Sequence, residues 1–359
     1  MKNLKVLSHC SYIGDTGINS HSRNFFRAFS KHCDLKVRNY TVGSSWKGQS
    51  FTPHDGEWYV NDIDKKILYQ QTLWNEKGRF DTHIYNNESG PFDVNIIADI
   101  CDHYYYYDNY LGPKIGYFAW ETNRVPDGFF EKLKELDEVW VTSGWQKECL
   151  IKQGFDPEKL QVVPEGVESD VFFPEESNFD EHYSDNRFKF IVFGRWEYRK
   201  STKEIIDTFI KTFDKSEPVD LILSVDNNWP EDDLKSTQER LKFHGFEDSR
   251  LKIVHFPSRK DYIRFLKKGH VFLSCSRGEG WNLPLIEAMA CGTPSIYSNC
   301  SGQLEYAAGK GHPVNILGET PSLKTVGSFY EPDFGHLSMV MRDVYSNYKE
   351  YKITICGIV

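Results

Sequence analysis

A short basic run follows an apolar stretch in the second half of the chain. The segment reads Phe193-Gly-Arg-Trp-Glu-Tyr-Arg-Lys200 and lies between a predicted strand and a predicted helix. Gly194 allows a tight turn at the strand end, which places Arg195 and Lys200 at the carboxyl edge of a sheet. A guanidinium binds two phosphate oxygens at once, and an ammonium adds a point charge. The pattern favours a phosphate site, with a solvated basic turn as the alternative.

A glycine-rich loop that runs into a helix is the second candidate. It reads Ser276-Arg-Gly-Glu-Gly-Trp-Asn-Leu-Pro-Leu-Ile-Glu-Ala-Met-Ala-Cys-Gly-Thr-Pro294. Pro284 in the first turn and Gly292 just past the last turn are typical start and stop signals of a helix. The free amides near Asn282 and Leu283 are expected to form an anion site at the helix N-terminus.

Two carboxylates belong to the same segment. Glu279 lies in the loop, and Glu287 lies eight residues later in the helix. A carboxylate repels phosphate but accepts hydrogen bonds from paired hydroxyls, such as those of a ribose or a hexose. Both residues are therefore candidates for binding hydroxyls. The alternative for Glu287 is a charge on the exposed face of the helix.

Two other nucleotide-binding patterns do not fit this sequence. Gly278 and Gly280 begin a dinucleotide-like fingerprint, but Leu283 stands where the third small residue belongs. The next strand also ends without the acidic residue that would hold an adenosine ribose. No Gly-Lys-Ser/Thr triplet occurs, so a P-loop is excluded.

The elements that must position these loops alternate between strands and amphipathic helices, which predicts an α/β architecture with parallel sheets. The predicted strands are Leu4–His9, Val94–Ala98, Lys114–Ala119, Glu138–Thr142, Phe188–Phe193, Val219–Val225, Leu251–Phe256, Val271–Ser274 and Ser295–Ser298. The predicted helices are Arg23–Phe29, Phe129–Leu136, Gln146–Gln153, Thr202–Phe213, Asp232–Phe243, Arg259–Lys268, Leu283–Cys291 and Leu337–Tyr351.

A polar, acidic stretch interrupts this alternation and predicts two domains. Residues 1–173 form an N-terminal Rossmann-like domain, 174–187 a linker, and 188–335 a C-terminal Rossmann-like domain. Residues 336–359 form a C-terminal helix and a short tail. Ligands of such sheets bind at the carboxyl ends of the strands, so we expect the two domains to face a common cleft.

Composition gives expectations for the partners, the thiols and the location of the protein. The net charge is −9, so a nucleic acid is not an expected partner. The 8 cysteines form no Cys-x-x-Cys pair, which predicts reduced thiols and no zinc site. There is no signal peptide and no apolar run long enough to span a bilayer, so a cytoplasmic protein is expected.

The two chemical segments together closely resemble family 4 of the retaining glycosyltransferases. The Glu279-x₇-Glu287 spacing resembles the family's signature, and Gly194-Arg195…Lys200 resembles its phosphate-binding turn. Pro164-Glu-Gly-Val-Glu…Phe173-Pro174 is similar to its interdomain stretch. Gly14-Asp-Thr-Gly17 is similar to its N-terminal glycine loop. The resemblance runs in order from about residue 4 to residue 347.

The resemblance implies a GT-B fold of two facing Rossmann-like domains, with a nucleotide-diphosphate sugar as donor. It implies that UDP- or GDP-sugar is bound by the C-terminal domain, that no metal or other cofactor is needed and that the anomeric configuration is retained. Glu279, Arg195 and Lys200 would act in catalysis. The implied donor-binding residues are Gly14, Gly17, Gly194, Arg195, Lys200, His255, Phe256, Glu279, Gly280, Trp281, Asn282, Leu283 and Glu287.

The prediction of an acceptor-binding site depends on two residues. His103 and Glu121 follow predicted strands of the first domain, and His103 is the candidate base for the acceptor proton. A structural histidine and a helix cap are the alternatives. The acceptor is expected to be a glycan, a lipid or a protein, and a lipid acceptor would bring a peripheral membrane contact.

Two departures from the family pattern have consequences. Ser201 stands where the family often has glycine, and we expect it to cap the following helix. The chain also ends soon after the Leu337–Tyr351 helix, whereas family members carry a longer helical tail. The second departure supports an alternative function, a catalytically silent protein of the same fold that binds sugar nucleotides or acts as a scaffold.

Overall fold

The chain folds into two compact units. The computed structural model describes residues 4–12, 17–41, 62–74, 80–84, 92–99, 112–174, 187–227, 233–256 and 259–355. The first unit comprises Met1–Trp120 and Arg124–Gly166, and the second comprises Glu121–Asn123 and Val167–Val359. This division falls ahead of the boundary predicted after Phe173, because Phe172 is buried in the core of the second unit. Residues 175–186 of the predicted linker lie outside the described residues.

The first unit contains an eight-stranded sheet in the order β4-β3-β2-β1-β5-β6-β7-β8. Its strands are β1 (Lys5–Cys10), β2 (Asp34–Thr41), β3 (Leu68–Trp74), β4 (Phe80–Ile84), β5 (Val94–Ala98), β6 (Lys114–Phe118), β7 (Glu138–Val141) and β8 (Leu160–Val162). Its helices are α1 (Gly17–Phe29), α2 (Asp62–Ile67), α3 (Asp127–Lys134) and α4 (Gly144–Lys152). Strands β3 and β4 pair antiparallel, and the other neighbours pair in parallel.

The second unit contains a six-stranded parallel sheet in the order β11-β10-β9-β12-β13-β14. Its strands are β9 (Phe188–Phe193), β10 (Val219–Ser224), β11 (Leu251–Ile253), β12 (Val271–Ser274), β13 (Ser295–Ser298) and β14 (His312–Val314). An antiparallel hairpin follows, with strands β15 (Ile316–Pro321) and β16 (Ser328–Pro332). The helices are α5 (Thr202–Thr212), α6 (Thr237–Phe243), α7 (Arg259–Lys268), α8 (Leu283–Ala290), α9 (Leu304–Ala307), α10 (Phe334–Ser346) and α11 (Tyr348–Ile355).

Apolar runs explain why the central strands were predictable. A parallel strand covered by helices on both faces is almost continuously apolar, and β9, β10 and β12 are buried along nearly their whole length. The strands β5, β9, β12 and β13 and the helix α7 have the predicted bounds. Helix α6 starts later than predicted because Ser236 and Glu239 form a capping box.

The C-terminal segment belongs to the second unit. Leu337, Met341 and Val344 of α10 are buried in the same hydrophobic cluster as Phe209 of α5. The single helix predicted over Leu337–Tyr351 is two helices, because α10 ends at Ser346 and the backbone of the next residue, Asn347, leaves the helical conformation.

Candidate functional site

The two chemical segments meet because they leave neighbouring strands. The basic segment follows β9 and the glycine-rich loop follows β12, and these strands pair in parallel. Gly194 has a φ of +139°, a conformation that favours glycine, and turns the chain out of β9. A 3₁₀ turn at Tyr198–Lys200 then presents two basic side chains to the loop after β12.

Glu279 lies between two cations. Lys200 Nζ is 2.5 Å from Oε1 of Glu279, and Arg199 Nη1 is 2.8 Å from Oε2. Arg199 Nη2 also donates to Glu197 at 2.7 Å and lies 3.0 Å from Oε1 of Glu121. The structure therefore gathers Lys200, Glu279 and Glu121, which the sequence singled out, around an arginine that it did not.

The cations decide the charge of Glu279. The residue is only 4% exposed, and burial by itself opposes a charged carboxylate. The neighbouring Arg199 and Lys200 outweigh this penalty and lower the pKa of Glu279 to about 2. Glu279 is therefore an ionised, acceptor-only carboxylate at any physiological pH.

Arg195 lies in the same loop but in a different environment. Its side chain is 45% exposed, and its ion pair is with Glu197 at 3.6 Å. A half-exposed guanidinium on a loop at the carboxyl edge of the sheet is available to an incoming anion. Arg195 thus pairs with Glu197, and Lys200 pairs with Glu279.

Helix α8 begins as an anion site would require. Asn282 precedes it with a φ of +77°, and its side-chain amide donates to Ser274 and Gln303, each at 2.8 Å. The amides of Leu285 and Ile286 donate back to the Asn282 carbonyl, and Pro284 has no amide hydrogen. Within the described residues, the amides of Asn282 and Leu283 donate to no protein group.

Two glycines let the loop after β12 pack closely. A Cβ atom on Gly278 would lie 2.2 Å from the carbonyl oxygen of Glu121. A Cβ atom on Gly302 would lie 2.0 Å from the carbonyl oxygen of Gly280. Trp281 is buried beside Tyr306, whose hydroxyl donates to the carbonyls of Trp281 and Asn282 at 2.9 Å. These contacts fix the loop that carries Glu279.

Glu287 is buried, so its alternative interpretation as an exposed helix charge is wrong. It is 7% exposed, and the Tyr262 hydroxyl of α7 donates to its Oε2 at 2.5 Å. Burial raises the pKa of Glu287 to about 7, although the Tyr262 hydrogen bond and the nearby Arg259 act in the opposite direction. The side chain changes charge close to neutral pH.

His255 and Phe256 follow β11, which ends earlier than predicted. The His255 side chain is 71% exposed, with Nδ1 3.4 Å from Oδ2 of Asp226. The Phe256 ring packs against Phe193 and Tyr262, at centroid distances of 4.8 and 5.6 Å. Their contact with a nucleotide base stays a prediction.

Of the predicted site residues that precede Glu121, the structure describes Gly17. Gly17 is the first residue of α1. Gly14 and His103 lie outside the described residues, and their roles stay predictions.

Ser201 does not cap α5 through its side chain, so that expectation is wrong. Ser201 has a φ of +53° and makes no side-chain capping hydrogen bond. Its hydroxyl instead accepts from Arg277 Nη1 at 3.1 Å. The buried Arg277, which also pairs with Glu204 and Glu331, competes for the serine oxygen.

Three further properties concern the described part of the chain. Six cysteines there are free thiols: Cys10, Cys33, Cys149, Cys275, Cys291 and Cys300. The described side chains include no group of three or more His, Cys, Asp or Glu residues placed to hold a metal ion. No helix in these ranges has both the length and the apolar character to cross a bilayer.

Part of this chain is similar to a family of known proteins and to several curated relatives. Residues 174–313, less than half of the chain, match the family described as Glycosyl transferases group 1. Mannosylfructose-phosphate synthase of Agrobacterium fabrum is 27% identical over 173 residues, which cover 45% of this chain and 38% of that protein. The chain spans between 16% and 58% of the length of the curated relatives it matches.

Solved structures match over nearly the whole chain. HepE from Anabaena, solved in complex with UDP-glucose, has a TM-score of 0.69 at 13% identity, over 98% of this chain and 92% of that one. Sucrose-phosphate synthase from Thermosynechococcus elongatus has a TM-score of 0.66 at 14% identity, over the same shares. At these identities the likeness shows the fold, and it confirms the predicted GT-B class with two Rossmann-like units.

Sequence reasoning missed Arg199, the residue with the most carboxylate partners in the site. The signal was present, since Arg199 immediately precedes Lys200 in the turn. Residue type alone does not reveal whether an arginine faces solvent or a buried carboxylate, because both environments suit a long cationic side chain. The 3₁₀ turn decides this by directing Arg199 inward.

Proposed function

We propose that this protein is a retaining glycosyltransferase that transfers a sugar from UDP- or GDP-sugar to a glycan, lipid or protein acceptor without a metal ion. The observation that carries the proposal is the pairing of Lys200 with the buried Glu279 at 2.5 Å, at the carboxyl edge of the second sheet. A cation for phosphate and an ionised acceptor for hydroxyls are there side by side, as a sugar diphosphate requires.

Each part of the donor has a matching group. Arg195, Lys200 and the amides of Asn282 and Leu283 bind the diphosphate. The Glu279 carboxylate accepts hydrogen bonds from hydroxyls of the transferred sugar, and Glu287 accepts them from the ribose. Of the further donor-binding residues in this proposal, Gly14 and Gly17 contribute to diphosphate binding, and His255 and Phe256 contact the base.

The chemistry needs stabilisation of a leaving group. When the bond from the anomeric carbon to the phosphate oxygen breaks, the electron pair stays on the nucleoside diphosphate, and the sugar becomes oxocarbenium-like. Cations and helix amides fixed beside that diphosphate stabilise the growing charge. Arg195, Lys200 and the start of α8 supply this stabilisation in place of a divalent metal. The acceptor oxygen forms the new bond to the anomeric carbon on the face from which the diphosphate leaves, and its proton passes to a base, for which His103 is the candidate.

Two comparisons support the proposal. The match to Glycosyl transferases group 1 covers residues 174–313, the stretch that contains every donor-side group of the second unit named above. A structural relative, HepE, was solved with UDP-glucose. We further propose a cytoplasmic protein whose membrane contact, where the acceptor is a lipid, is peripheral.

A donor screen tests the proposal. The purified chain is incubated with UDP- and GDP-sugars, with and without EDTA, and hydrolysis and transfer are followed by NMR of the anomeric proton. The expected result is turnover of one donor with retained configuration and no loss in EDTA. Binding without any turnover would indicate the silent sugar-nucleotide binder instead. A loss in EDTA that Mn²⁺ restores would contradict metal independence.

A further inference from the structure

Arg199 is the centre of the charged cluster. Its side chain is 9% exposed and contacts three carboxylates, those of Glu279, Glu197 and Glu121, at 2.8, 2.7 and 3.0 Å. Its Nη1 also donates to the carbonyl oxygen of Gly278 at 2.9 Å. A planar guanidinium with this many partners has one possible orientation, so Arg199 is fixed in place.

Lys200 is held much less firmly. Its side chain is 18% exposed, and among the described residues the carboxylate that it contacts within 4 Å is that of Glu279. An ammonium is a point charge on a flexible stem, so it can exchange one anion for another by rotating. The two oxygens of Glu279 thus have different partners, a fixed one on Oε2 and an exchangeable one on Oε1.

We infer that Arg199 is a positioning residue, which holds Glu279 in place while Lys200 exchanges this carboxylate for the diphosphate of the donor. The inference rests on the proposed function. When the donor binds, Lys200 turns to the phosphate, and Oε1 of Glu279 becomes free to accept from a sugar hydroxyl. Arg199 stays on Oε2 and keeps the carboxylate charged and oriented.

Charge balance explains why this exchange needs Arg199. The cluster contains three carboxylates, Glu121, Glu197 and Glu279, and three cations, Arg195, Arg199 and Lys200. A bound diphosphate engages Arg195 and Lys200 and leaves Arg199 as the cation for all three carboxylates. Without it, Glu279 would be a buried, uncompensated charge beside an anion, and it would take up a proton or turn away.

Two variants test the inference. Arg199→Lys keeps the charge but loses the fork that reaches several partners. The double variant Arg199→Gln with Glu197→Gln removes one cation and one anion together, so that it folds if the single change does not. Arg264→Lys, an exposed arginine of α7 in the same unit, is the matched control.

Binding and turnover are measured with UDP and UDP-glucose, and with GDP and GDP-mannose. In Arg199→Lys the affinity for the nucleoside diphosphate stays within about twofold, while kcat falls about tenfold or more because Glu279 is misplaced. The additional affinity of the intact donor over the bare diphosphate is lost as well. The control matches the wild type.

The ionisation of Glu279 gives a readout that does not depend on the donor. Its carboxyl carbon is followed by ¹³C NMR in labelled protein and assigned with Glu279→Gln. Two cations, Arg199 and Lys200, face this carboxylate, and the Ser276 hydroxyl and the Cys300 thiol lie beside it. On the other side of Arg199 are the carboxylates of Glu121 and Glu197. In the wild type it stays ionised down to about pH 4, and in the double variant it titrates above that value.

Three results would overturn the inference. They are an equal loss of affinity for the diphosphate and the intact donor in Arg199→Lys, wild-type kinetics in that variant, and an unchanged Glu279 titration in the double variant. Failure of the proposed function looks different, because the wild type then binds none of the four nucleotides. The Glu279 titration decides the role of Arg199 in that case as well.

Discussion

The loop after β12 and the helix α8 that follows it each bury one glutamate, in opposite electrostatic surroundings. Glu279 and Glu287 are exposed by only 4% and 7%. Glu279 contacts two cations, and its pKa is about 2. Glu287 accepts a hydrogen bond from the neutral Tyr262 hydroxyl, and burial raises its pKa to about 7.

Burial alone therefore does not set the charge of a carboxylate in this site. Neighbouring cations determine whether the carboxylate is charged. At Glu279 their attraction outweighs the loss of hydration, whereas at Glu287 it does not. Glu279 is therefore a permanent acceptor, suited to sugar hydroxyls beside a bound diphosphate. Glu287 is an acceptor whose strength changes with pH near neutrality.

Removing a cation has the largest expected effect. Lys200→Ala takes away the partner of Glu279 and of the proposed diphosphate, so turnover should fall roughly 10²- to 10³-fold. Arg195→Ala should also lower turnover, because Arg195 is the other cation available to the diphosphate. Steady-state kinetics measures both, with circular dichroism to confirm the fold.

Lys203→Ala provides the matched control, because Lys203 is an exposed lysine at the start of α5. Its rate should equal that of the wild type. Wild-type rates in Lys200→Ala and Arg195→Ala, with intact folds, would remove both residues from the proposed mechanism.

The raised pKa of Glu287 predicts a pH-dependent stability. The folded protein holds this proton up to about pH 7, whereas the unfolded chain releases it near 4.5. The contribution of this group to the free energy of unfolding is therefore greatest below about pH 4.5. It decreases by about 3 kcal/mol as the pH rises to about 7. In Glu287→Gln this loss should be absent.

Urea unfolding from pH 4 to pH 8 gives the free energy of unfolding of the wild type and of Glu287→Gln. The difference between the two values checks this prediction, because the contributions of the other titrating groups cancel in it. Glu247→Gln is the control, because Glu247 is exposed in the same unit. A difference between the wild type and Glu287→Gln that does not change with pH would show that folding does not raise the pKa of Glu287.

The sequence predicted the elements that carry the site, because their causes are local. The apolar runs of β9 and β12, the turn at Gly194 and the start and stop signals of α8 are all visible in the residues. The hairpin β15–β16 was not predicted, since most of β15 is exposed and has no apolar face. The strands β2, β3 and β4 were missed as well.

The charged contacts of the site were only partly predictable. Lys200 and Glu279 were selected by type and position, and the structure brings them together. Arg199 was not selected, because its direction depends on one turn and on carboxylates distant in the chain, Glu121 and Glu279. The burial of Glu287 likewise depends on α7, which supplies Tyr262.

Calorimetric titration of the two glutamate variants shows whether this cluster is a donor site in which Glu287 binds the ribose and Glu279 binds the sugar. At about pH 8, Glu287→Gln should bind the nucleoside diphosphate about tenfold more weakly or worse, because the amide loses the charge-assisted bond to the ribose. Glu279→Gln should bind the diphosphate at least as tightly as the wild type, because Lys200 no longer pairs with a carboxylate, and should lose the additional affinity for the intact sugar nucleotide. Wild-type affinity of Glu287→Gln for the diphosphate, or a weakened diphosphate complex in Glu279→Gln, would contradict the account.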